Sequence, residues 1–287
     1  VDSTAKLYGG AIYIHGDNTT IKGSSFTRST VSASSSEGGA IYVDGKNAII
    51  DGSSFTDSSA KLHGGAMYIK GDNTTVSESS FLRSTVTTED QSNGGAIFLE
   101  GDYCNVTSSS FIDSSAKKFG GAMYSTGSFS TVYNSNFTNN HADYDGGAIY
   151  WYGSDKSEHN TVDGCIFTGN VAYAKGAVSS TGRNTIGGGA VYWSEGGRNG
   201  SVKNSQFFNN SVQSNQKADG GAILWDRSYD AVIDNCNFSG NYVTTTASDV
   251  WVQGGTAYLR ASGKYTVSNC VFENSSSDNE AGALYVQ

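Results

Sequence analysis

The chain has 287 residues, of which 37 are glycine and none is proline, and its formal net charge is −9. This acidic balance disfavours nucleic acid and anionic membrane surfaces as partners, because both carry negative charge themselves. The sequence holds no run of about twenty apolar residues, so it predicts no membrane-spanning helix.

One phrase recurs along the whole chain, beginning with Gly-Gly-Ala-Ile-Tyr-Ile at residues 9–14 and Phe26 behind it. In the first five copies the interval from the glycine pair to the phenylalanine is constant, and only the stretch that follows varies. Self-similarity with a period of roughly 20 to 50 residues is typical of solenoids. The next four copies are residues 38–43 with Phe55, 64–69 with Phe81, 94–99 with Phe111 and 120–125 with Phe137.

Each copy predicts one coil built from short strands. In the first coil Ile12 and Ile14, then Ile21, then Phe26 and finally Val31 are apolar positions flanked by Gly, Asn, Asp and Ser. Such short alternating runs indicate half-buried strands rather than helices. Proline cannot donate to a strand ladder, and its absence suits strands that are paired on both sides. We therefore predict an all-β, right-handed parallel β-helix of about ten coils, with three strands in each coil.

The sixth to ninth coils are less regular than the first five. An insertion is predicted around residues 173–188, and the ninth coil has two possible registers. Residues 254–258 repeat the glycine phrase, but Val250 has the spacing from Val243 that regular coils show. The second register is favoured, so Val250 is expected to point inward, with a protruding loop at residues 254–264.

The repeat covers residues 1–287 and predicts a single domain. Both termini fall within a coil, and neither shows a capping helix, although solenoid ends need polar caps. An open strand edge invites pairing with another chain. The expectation is a segment of a longer repeat chain, or one that stacks end to end with copies of itself.

The four cysteines predict buried free thiols rather than disulfides or a metal site. Cys165, Cys236 and Cys270 stand two residues before a ladder phenylalanine, where other coils have serine, and Cys104 lies elsewhere. Cys236 and Cys270 fall on adjacent coils, but a disulfide between directly stacked parallel strands would be strained. No Cys-x-x-Cys spacing occurs, so a metal site is not predicted.

The Gly-Gly-Ala-Ile and Phe-x-x-Asn motifs resemble the repeats of the polymorphic outer-membrane proteins of chlamydiae. The fuller phrase, with Gly-Asp-Asn-Thr-Thr, is most similar to the adhesin-like surface proteins of methanogenic archaea. The resemblance covers all ten coils and implies an extracellular, surface-attached rod without catalytic residues. The asparagine of the motif predicts a stacked amide ladder, and it stands at Asn140, Asn170, Asn210 and Asn241, with serine at Ser29, Ser58, Ser84 and Ser114 in earlier coils.

The strongest candidate binding surface is a file of aromatic residues between the two inward positions of the first strand. Alternation along a strand places this file outside, where aromatic faces suit sugar rings and partner proteins. The alternative is that stacked rings only stabilise neighbouring strands. The file comprises Tyr13, Tyr42, Tyr68, Phe98, Tyr124, Tyr150, Tyr192, Trp251 and Tyr285, with Leu224 as an exception. At the following inward position, Trp151, Trp193 and Trp225 are predicted to pack in the core.

Eight Asn-x-Ser/Thr sequons are candidate glycosylation sites if the chain is secreted. A sequence this rich in Asn, Ser and Thr also generates sequons by chance, so both possibilities stay open. They lie at Asn18, Asn73, Asn105, Asn136, Asn199, Asn209, Asn237 and Asn274.

A polysaccharide lyase or hydrolase is the catalytic alternative, because such enzymes also use this fold with two or three acids on one strand face. Asp51, Asp163 and Asp234 share an outward register but lie on coils two, six and eight, which is predicted to be too far apart for them to act together. Asp143, Asp145 and Asp249 are corner acids without an identifiable partner, and the four histidines share no register. The Gly-Asp turns at residues 16–17, 71–72 and 101–102 lack the spacing of calcium-binding β-rolls, so ordinary turns are predicted.

These observations predict a non-enzymatic, extracellular cell-surface rod that acts as an adhesin or surface scaffold. The expected partners are glycans or proteins on other cells, or copies of the chain itself. No cofactor or metal is predicted. A filament or spacer subunit is the first alternative, and a polysaccharide-active enzyme is the second.

Overall fold

A computed structural model describes residues 2–89, 91–153, 158–174, 186–194, 197–248, 250–261 and 263–287. Within these ranges all regular structure is β-strand, in segments of two to six residues. Every pairing between strands is parallel, and each strand pairs with its equivalents in the coils before and after it. The chain therefore winds as a parallel β-helix, as the repeat predicts.

Sheet 1 contains the strands that follow the glycine pair and has ten strands in the described chain. Its registers place Ile12 beside Ile41 and Met67 beside Ile97, so equivalent residues of the repeat stack directly. The strands are Ile12–Ile14, Ile41–Val43, Met67–Ile69, Ile97–Leu99, Met123–Ser125, Ile149–Trp151, Val191–Trp193, Ile223–Ser228, Ala257–Ala261 and Leu284–Val286.

Sheets 2 and 3 follow in each coil, with nine strands each among the described residues. Sheet 2 consists of Thr20–Lys22, Ile49–Asp51, Thr75–Ser77, Asn105–Thr107, Thr131–Tyr133, Thr161–Asp163, Ser201–Lys203, Ala231–Asp234 and Tyr265–Ser268. Sheet 3 carries the ladder phenylalanines and consists of Ser25–Thr27, Ser54–Thr56, Ser80–Leu82, Ser110–Ile112, Asn136–Thr138, Ile166–Thr168, Gln206–Phe208, Asn237–Ser239 and Val271–Glu273.

Sheet 4 makes a fourth strand in each complete coil, so the prediction of three strands per coil is wrong. The apolar residue five positions after the phenylalanine does not extend sheet 3, because a left-handed residue such as Arg28 (φ 50°) turns the chain between them. The strands of sheet 4 are Thr4–Ala5, Thr30–Val31, Ser59–Ala60, Thr85–Val86, Ser115–Ala116, His141–Ala142, Val171–Ala174, Ser211–Ser214, Tyr242–Thr245 and Ser276–Ser277.

The glycine pair is explained by the corner between sheets 4 and 1. Gly38 has a φ of 64°, which L-residues with a side chain rarely adopt. A Cβ on Gly39 would clash with the backbone carbonyl of Gly65 in the next coil. The first glycine is thus required by the turn, and the second by the close approach of stacked backbones.

The core is a set of continuous files of inward side chains. The rings of Phe26 and Phe55 stack with centroids 4.9 Å apart, and those of Phe81 and Phe111 are 4.7 Å apart. This spacing is the ordinary separation of paired strands. Three indoles form a similar stack, and Trp151, Trp193 and Trp225 are buried in the core as predicted.

The predicted amide ladder is confirmed. Asn140 Nδ2 donates to Asn170 Oδ1 at 2.9 Å, and Asn170 Nδ2 donates to Asn210 Oδ1 at 2.9 Å. Asn210 Nδ2 continues the ladder to Asn241 Oδ1 at 3.0 Å. Each of these oxygens also accepts from a backbone N–H of the preceding coil. In the first four coils the hydroxyls of the buried serines at this position find no hydrogen-bond partner among the described residues.

The predicted register of the ninth coil is wrong. Ala257 pairs with Ile223 and Tyr258 pairs with Leu224, so the strand follows the glycine pair as in other coils. Residues 257–261 belong to sheet 1, and the protruding loop predicted at residues 254–264 is not formed there. The chemistry of the corner decides the register, because Gly254 adopts a φ of 64° and a Cβ on Gly255 would clash with backbone.

In coils six to eight, extra residues lie before the glycine pair that opens the next coil. They form a fifth sheet from Ile186–Gly187, Ala218–Asp219 and Val252–Gln253. Most of the insertion predicted at residues 173–188 lies outside the described residues. Val252 is buried in this sheet, whereas Trp251 is 60% exposed.

The four cysteines are free, as predicted, but Cys270 is only partly buried. Cys104, Cys165 and Cys236 are buried, and burial raises the pKa of each thiol to about 12. Cys165 Sγ donates to the carbonyl oxygens of Val132 and Asp163 at 3.5 and 3.4 Å. These thiols are protonated at neutral pH and act as small core residues.

Candidate functional site

The aromatic file lies on the outer face of sheet 1 but is not an exposed face. Tyr13 at the first coil is 51% exposed, while Tyr42 and Tyr124 are each 7% exposed and Tyr192 is fully buried. The prediction of an exposed file is therefore wrong for most of its length. Trp251 does not belong to the file, and Tyr258 takes its position next to Tyr285.

The rings of the file stack on one another from coil to coil. Tyr42 and Tyr68 have centroids 5.0 Å apart with an interplanar angle of 2°, and Tyr150 and Tyr192 are 4.8 Å apart. The stack runs through Tyr13, Tyr42, Tyr68, Phe98, Tyr124, Tyr150 and Tyr192, breaks at Leu224, and resumes with Tyr258 and Tyr285. Stacking thus supports the structural alternative for these residues.

A second file, here called the cover file, buries the aromatic rings. It consists of the residue that directly precedes each glycine pair, which the corner folds back over the outer face of sheet 1. Tyr8 packs on Tyr42 at 4.7 Å, and Phe119 packs on Tyr150 at 4.7 Å. In the first six coils the cover file is Tyr8, Glu37, His63, Asn93, Phe119 and Asp145, joined by isolated parallel bridges.

The cover file could have been suspected from the sequence, because Tyr8 and Phe119 are aromatic at a position next to a turn. Its variable chemistry hid the pattern, since the same position holds Glu37, His63 and Asn93. Only the fold-back of the glycine corner shows that all of these side chains lie over the same sheet.

In the first four coils, a file of titratable residues lines the other side of the aromatic rings, two residues after each ring: His15, Asp44, Lys70 and Glu100. Asp44 accepts a hydrogen bond from His15 Nδ1 at 2.9 Å and lies 3.4 Å from Lys70 Nζ. The Tyr68 hydroxyl donates to Glu100 Oε2 at 2.6 Å. These contacts hold the rim of the aromatic stack in place, and His15 lowers the pKa of Asp44.

Two titratable residues of the cover file have shifted pKa values. Burial raises the pKa of Glu37 to about 7, and the negative charge of Glu100 adds to this effect. Burial lowers the pKa of His63 to about 4, and a hydrogen bond to the backbone of Leu62 opposes this shift. At neutral pH His63 is therefore an uncharged imidazole.

A cleft of ≈ 550 Å³ opens over the aromatic file at coils three to five. Its volume falls within the range of roughly 300–1,000 Å³ that is usual for ligand sites. His63 Nδ1 and Asn93 Oδ1 are buried and make no hydrogen bond within the described part of the chain. The cleft is lined by His63, Gln91, Asn93, Phe98, Lys118, Phe119 and Tyr124.

The three acids that share an outward register lie on the outer face of sheet 2, and Asp163 and Asp234 are closer than the sequence predicts, with one coil between them. Lys203 pairs in register with Asp163 on one side and Asp234 on the other, so these three residues occupy adjacent coils. Asp51 lies four coils away from Asp163, and its carboxylate forms an ion pair with Lys22 Nζ at 2.9 Å. Hydrogen bonds from Ser268 and Asn269 lower the pKa of Asp234.

A groove of ≈ 430 Å³ lies beside these residues, towards the start of the sheet 2 strands. The groove is lined by Lys203, Lys264, His159 and Asp230, among others. Asp230 Oδ1 accepts a hydrogen bond from the backbone N–H of Lys264 at 3.0 Å. The four histidines are not brought together, since His15, His63 and His141 lie on other parts of the surface.

The Gly-Asp turns have a structural function in the described chain. Asp17 Oδ1 accepts from the Lys46 backbone N–H at 2.8 Å, and Asp72 Oδ1 accepts from that of Asp102 at 3.1 Å. Asp102 Oδ1 in turn accepts from Ser128 N–H at 2.8 Å. These carboxylates join successive turns, and no group of three or more metal-ligating side chains occurs among the residues that the structure describes.

The corner acids are also engaged. Asp143 contacts His141 Nε2 at 2.8 Å and Lys117 Nζ at 3.3 Å, and these charges outweigh burial and lower its pKa. Asp145 is buried in the cover file and accepts from the Gly187 backbone N–H at 2.9 Å. Asp249 lies outside the described residues.

Seven of the eight sequon asparagines are exposed, and Asn105 is half-buried. Asn18, Asn73, Asn199, Asn209 and Asn274 occupy left-handed turn positions at coil corners. Asn136 and Asn237 lie in sheet 3 and are exposed on its outer side. All but Asn105 are thus freely accessible on the surface, and their use as glycosylation sites stays a prediction.

Comparison with known proteins identifies the family. A model described as the right handed beta helix region matches residues 10–191, which is more than half of the chain. The chain belongs to the right-handed β-helix family. This family is right-handed, in agreement with the handedness that the repeat predicts. No curated protein sequence matches the chain.

Among solved structures, the surface protein and adhesin PfbA of Streptococcus pneumoniae matches 99% of this chain and 81% of its own length. The sequence identity is 12% and the TM-score is 0.40, which is too low for this likeness to support a shared role.

The described residues form no helix that is long and apolar enough to cross a membrane.

Proposed function

We propose that the chain is a non-enzymatic, extracellular rod that acts as an adhesin or surface scaffold and attaches to glycans or proteins of other cells. The cleft over Phe98 and Tyr124 is the single observation that carries this proposal. It combines ring edges with polar groups on both rims, which is the usual make-up of a recognition site.

The β-helix supports such a site with little need for rearrangement on binding. The cleft rests on stacked rings and on the sheet 1 strands, whose backbone groups are paired in both directions. A preformed site avoids part of the ordering cost of binding. A rod of stacked coils also holds the site at a distance from any point of attachment.

The proposal is tested by screening the chain against immobilised surface glycans and intact cells, while the soluble fraction is analysed for released sugar. We expect saturable binding without polysaccharide turnover. Turnover would contradict the non-enzymatic part. No binding to any surface would contradict the adhesin part and favour the spacer or filament alternative.

A polysaccharide-active enzyme is a second candidate, because Asp163 and Asp234 flank Lys203 on one exposed face. Two strand spacings put their Cα atoms roughly 9–10 Å apart, close to the carboxylate separation of roughly 6.5–9.5 Å in inverting glycosidases. A general acid needs a raised pKa, whereas that of Asp234 is lowered. Sugar release that is lost in Asp163→Asn and Asp234→Asn would establish this candidate.

A further inference from the structure

The groove beside Lys203 on sheet 2, here called the trough, runs along the axis of the rod. Its floor is one outward file of sheet 2 on four successive coils, formed by Thr161, Ser201, Val232 and Thr266. Three strand spacings give this floor a length of roughly 14 Å. One wall is Lys203, two residues after the floor position on its strand. The other wall consists of the residues two positions before the floor, His159, Asn199, Asp230 and Lys264.

Small polar side chains make up most of the floor and part of the second wall. The hydroxyl groups of Thr161 and Ser201 are hydrogen-bonded to each other at 3.1 Å, and each keeps further capacity, because a hydroxyl has one donor and two acceptor positions. A ligand can reach this lining, since Asn199 is exposed and Thr161 and Thr266 are only half-buried. The trough therefore suits an elongated ligand that carries several hydroxyl groups.

Lys203 lacks the ion pair that its place in the repeat allows. At the same position of sheet 2, Lys22 Nζ pairs with the carboxylate of Asp51 on the next coil at 2.9 Å. Lys203 has an aspartate on both neighbouring coils, Asp163 and Asp234, yet it forms an ion pair with neither in the described chain. Its half-buried side chain lines the trough instead.

The carboxylates near the trough accept hydrogen bonds from neutral groups rather than from lysine side chains. Asn204 Nδ2 donates to Asp163 Oδ1 at 2.7 Å, and two further neutral side chains donate to Asp234. On the second wall, Asp230 accepts from the backbone N–H of Lys264, whose ammonium group has no ion pair among the described residues. Two ammonium groups thus border the trough, and the one carboxylate of its described lining is engaged by backbone.

We propose that the trough binds an oligosaccharide that carries carboxylate or sulfate groups and lies along the axis of the rod. Its acidic groups pair with Lys203 and Lys264, which are two coils apart, and its hydroxyl groups reach the side chains of the floor. Either kind of acidic group fits, because the ammonium group of lysine is a compact point charge. The trough lies on sheet 2, so this inference does not depend on the cleft over Phe98 and Tyr124.

The test is a calorimetric titration of the whole chain with tetrasaccharides that differ in their charged groups. Tetragalacturonate carries carboxylates, a carrageenan tetrasaccharide carries sulfates, and cellotetraose is neutral. At least one acidic ligand should bind saturably, with a Kd about tenfold or more below that of cellotetraose. Added sodium chloride should weaken this binding, because it screens the lysine charges. Binding of neither acidic ligand, equally tight binding of cellotetraose, or binding that salt does not weaken would overturn the inference.

The matched variants replace lysine with glutamine, which nearly keeps the length of the side chain and removes its charge. Lys203→Gln combined with Lys264→Gln should raise the Kd for the tighter acidic ligand by about tenfold or more. Lys22→Gln combined with Lys46→Gln removes the same charge from ion-paired lysines of the first two coils and should leave the Kd unchanged. An unchanged Kd in the folded Lys203 and Lys264 double variant would refute the assignment of the trough.

NMR of the wild-type chain decides the question if the double variant does not fold. On titration with the acidic ligand, the backbone amide signals of Ser201 and Thr266 should shift, while that of Thr20 at the other end of sheet 2 should not. Shifts confined to residues outside the trough would contradict the assignment.

Cell adhesion measured in parallel separates this inference from the proposed function. Binding of an acidic tetrasaccharide without adhesion to any cell rejects the adhesin proposal and leaves the trough standing. Adhesion by a chain that binds neither acidic tetrasaccharide rejects only the trough.

Discussion

The imidazole of His63 stacks on the ring of Phe98, with their centroids 4.4 Å apart and their planes inclined by 35°. His63 precedes the glycine pair of its coil, whereas Phe98 follows that of the next coil. This contact shows how the corner returns a side chain over the outer face of sheet 1. It explains why rings that alternate outward along the strand are nevertheless buried.

The phenylalanine ladder should provide much of the stability of each coil. Phe111→Ala removes a fully buried ring that stacks on Phe81 and Phe137, so we expect a loss of about 3–5 kcal/mol in the free energy of unfolding. Ile112→Ala, the next residue and 37% exposed, is the matched control and should cost much less. Urea unfolding followed by circular dichroism measures both; equal losses would contradict the ladder.

The asparagine ladder should accept neither alanine nor serine at Asn170. Asn170→Ala leaves the Phe137 carbonyl and the Asn140 amide groups without their partner, at a cost of roughly 1–3 kcal/mol per unsatisfied group. Asn170→Ser introduces the residue that earlier coils carry, but the buried hydroxyls of those serines find no partner among the described residues, so serine should not restore the lost hydrogen bonds. Thermal unfolding of both variants checks the prediction, which fails if either variant is as stable as wild type.

The second glycine of the pair should not accept a side chain. In Gly39→Ala the new methyl group would meet the Gly65 and Ser59 carbonyl groups, so strands on both sides must shift. In Gly16→Ala no atom lies within 4 Å of the new Cβ. We expect a clear fall in the midpoint of thermal unfolding for the first variant and almost none for the second. A midpoint unchanged in Gly39→Ala would refute the close stacking of corners.

Glu37 should make the chain more stable as pH falls from about 7 towards 4.5. Its pKa is about 7 in the folded chain against an ordinary value of 4.5, so folding takes up a proton in this window. His63 acts in the opposite direction between pH 6.5 and about 4, because its pKa is lowered. The difference between wild type and Glu37→Gln in unfolding free energy isolates Glu37.

We expect Glu37→Gln to gain stability relative to wild type as pH rises through that window. Measurements of urea unfolding at pH 5 and pH 8 provide this difference. An identical pH dependence in the two proteins would mean that Glu37 titrates normally.

The fold was largely predictable, because the repeat itself records the strand register. Ile12, Phe26 and Asn140 each recur at a fixed place in the phrase, and stacking places equivalent residues together. The ninth coil departs from the prediction because Val250 has the regular spacing but the strand follows the glycine pair. The corner geometry of Gly254 and Gly255 determines the actual register.

The site was less predictable than the fold. Alternation gives the side of the strand on which Tyr42 lies, but it cannot show that Tyr8 from the previous coil covers it. The cleft depends on which side chains the glycine corner folds over sheet 1. His63 and Asn93 are smaller than Tyr8 and Phe119, which occupy the equivalent positions of the cover file in other coils. Neither residue belongs to a recognisable motif, so only the folded chain brings them together.

The most direct test of the proposed adhesin function is binding of the whole chain to intact cells after the cleft has been filled. Gln91→Trp places a large side chain at an exposed position of the lining, and Ile112→Trp adds the same group on sheet 3 as control. The account predicts saturable cell binding by wild type and Ile112→Trp, and at least a tenfold weaker binding by folded Gln91→Trp. Equal binding by all three proteins, or none by wild type, would contradict it.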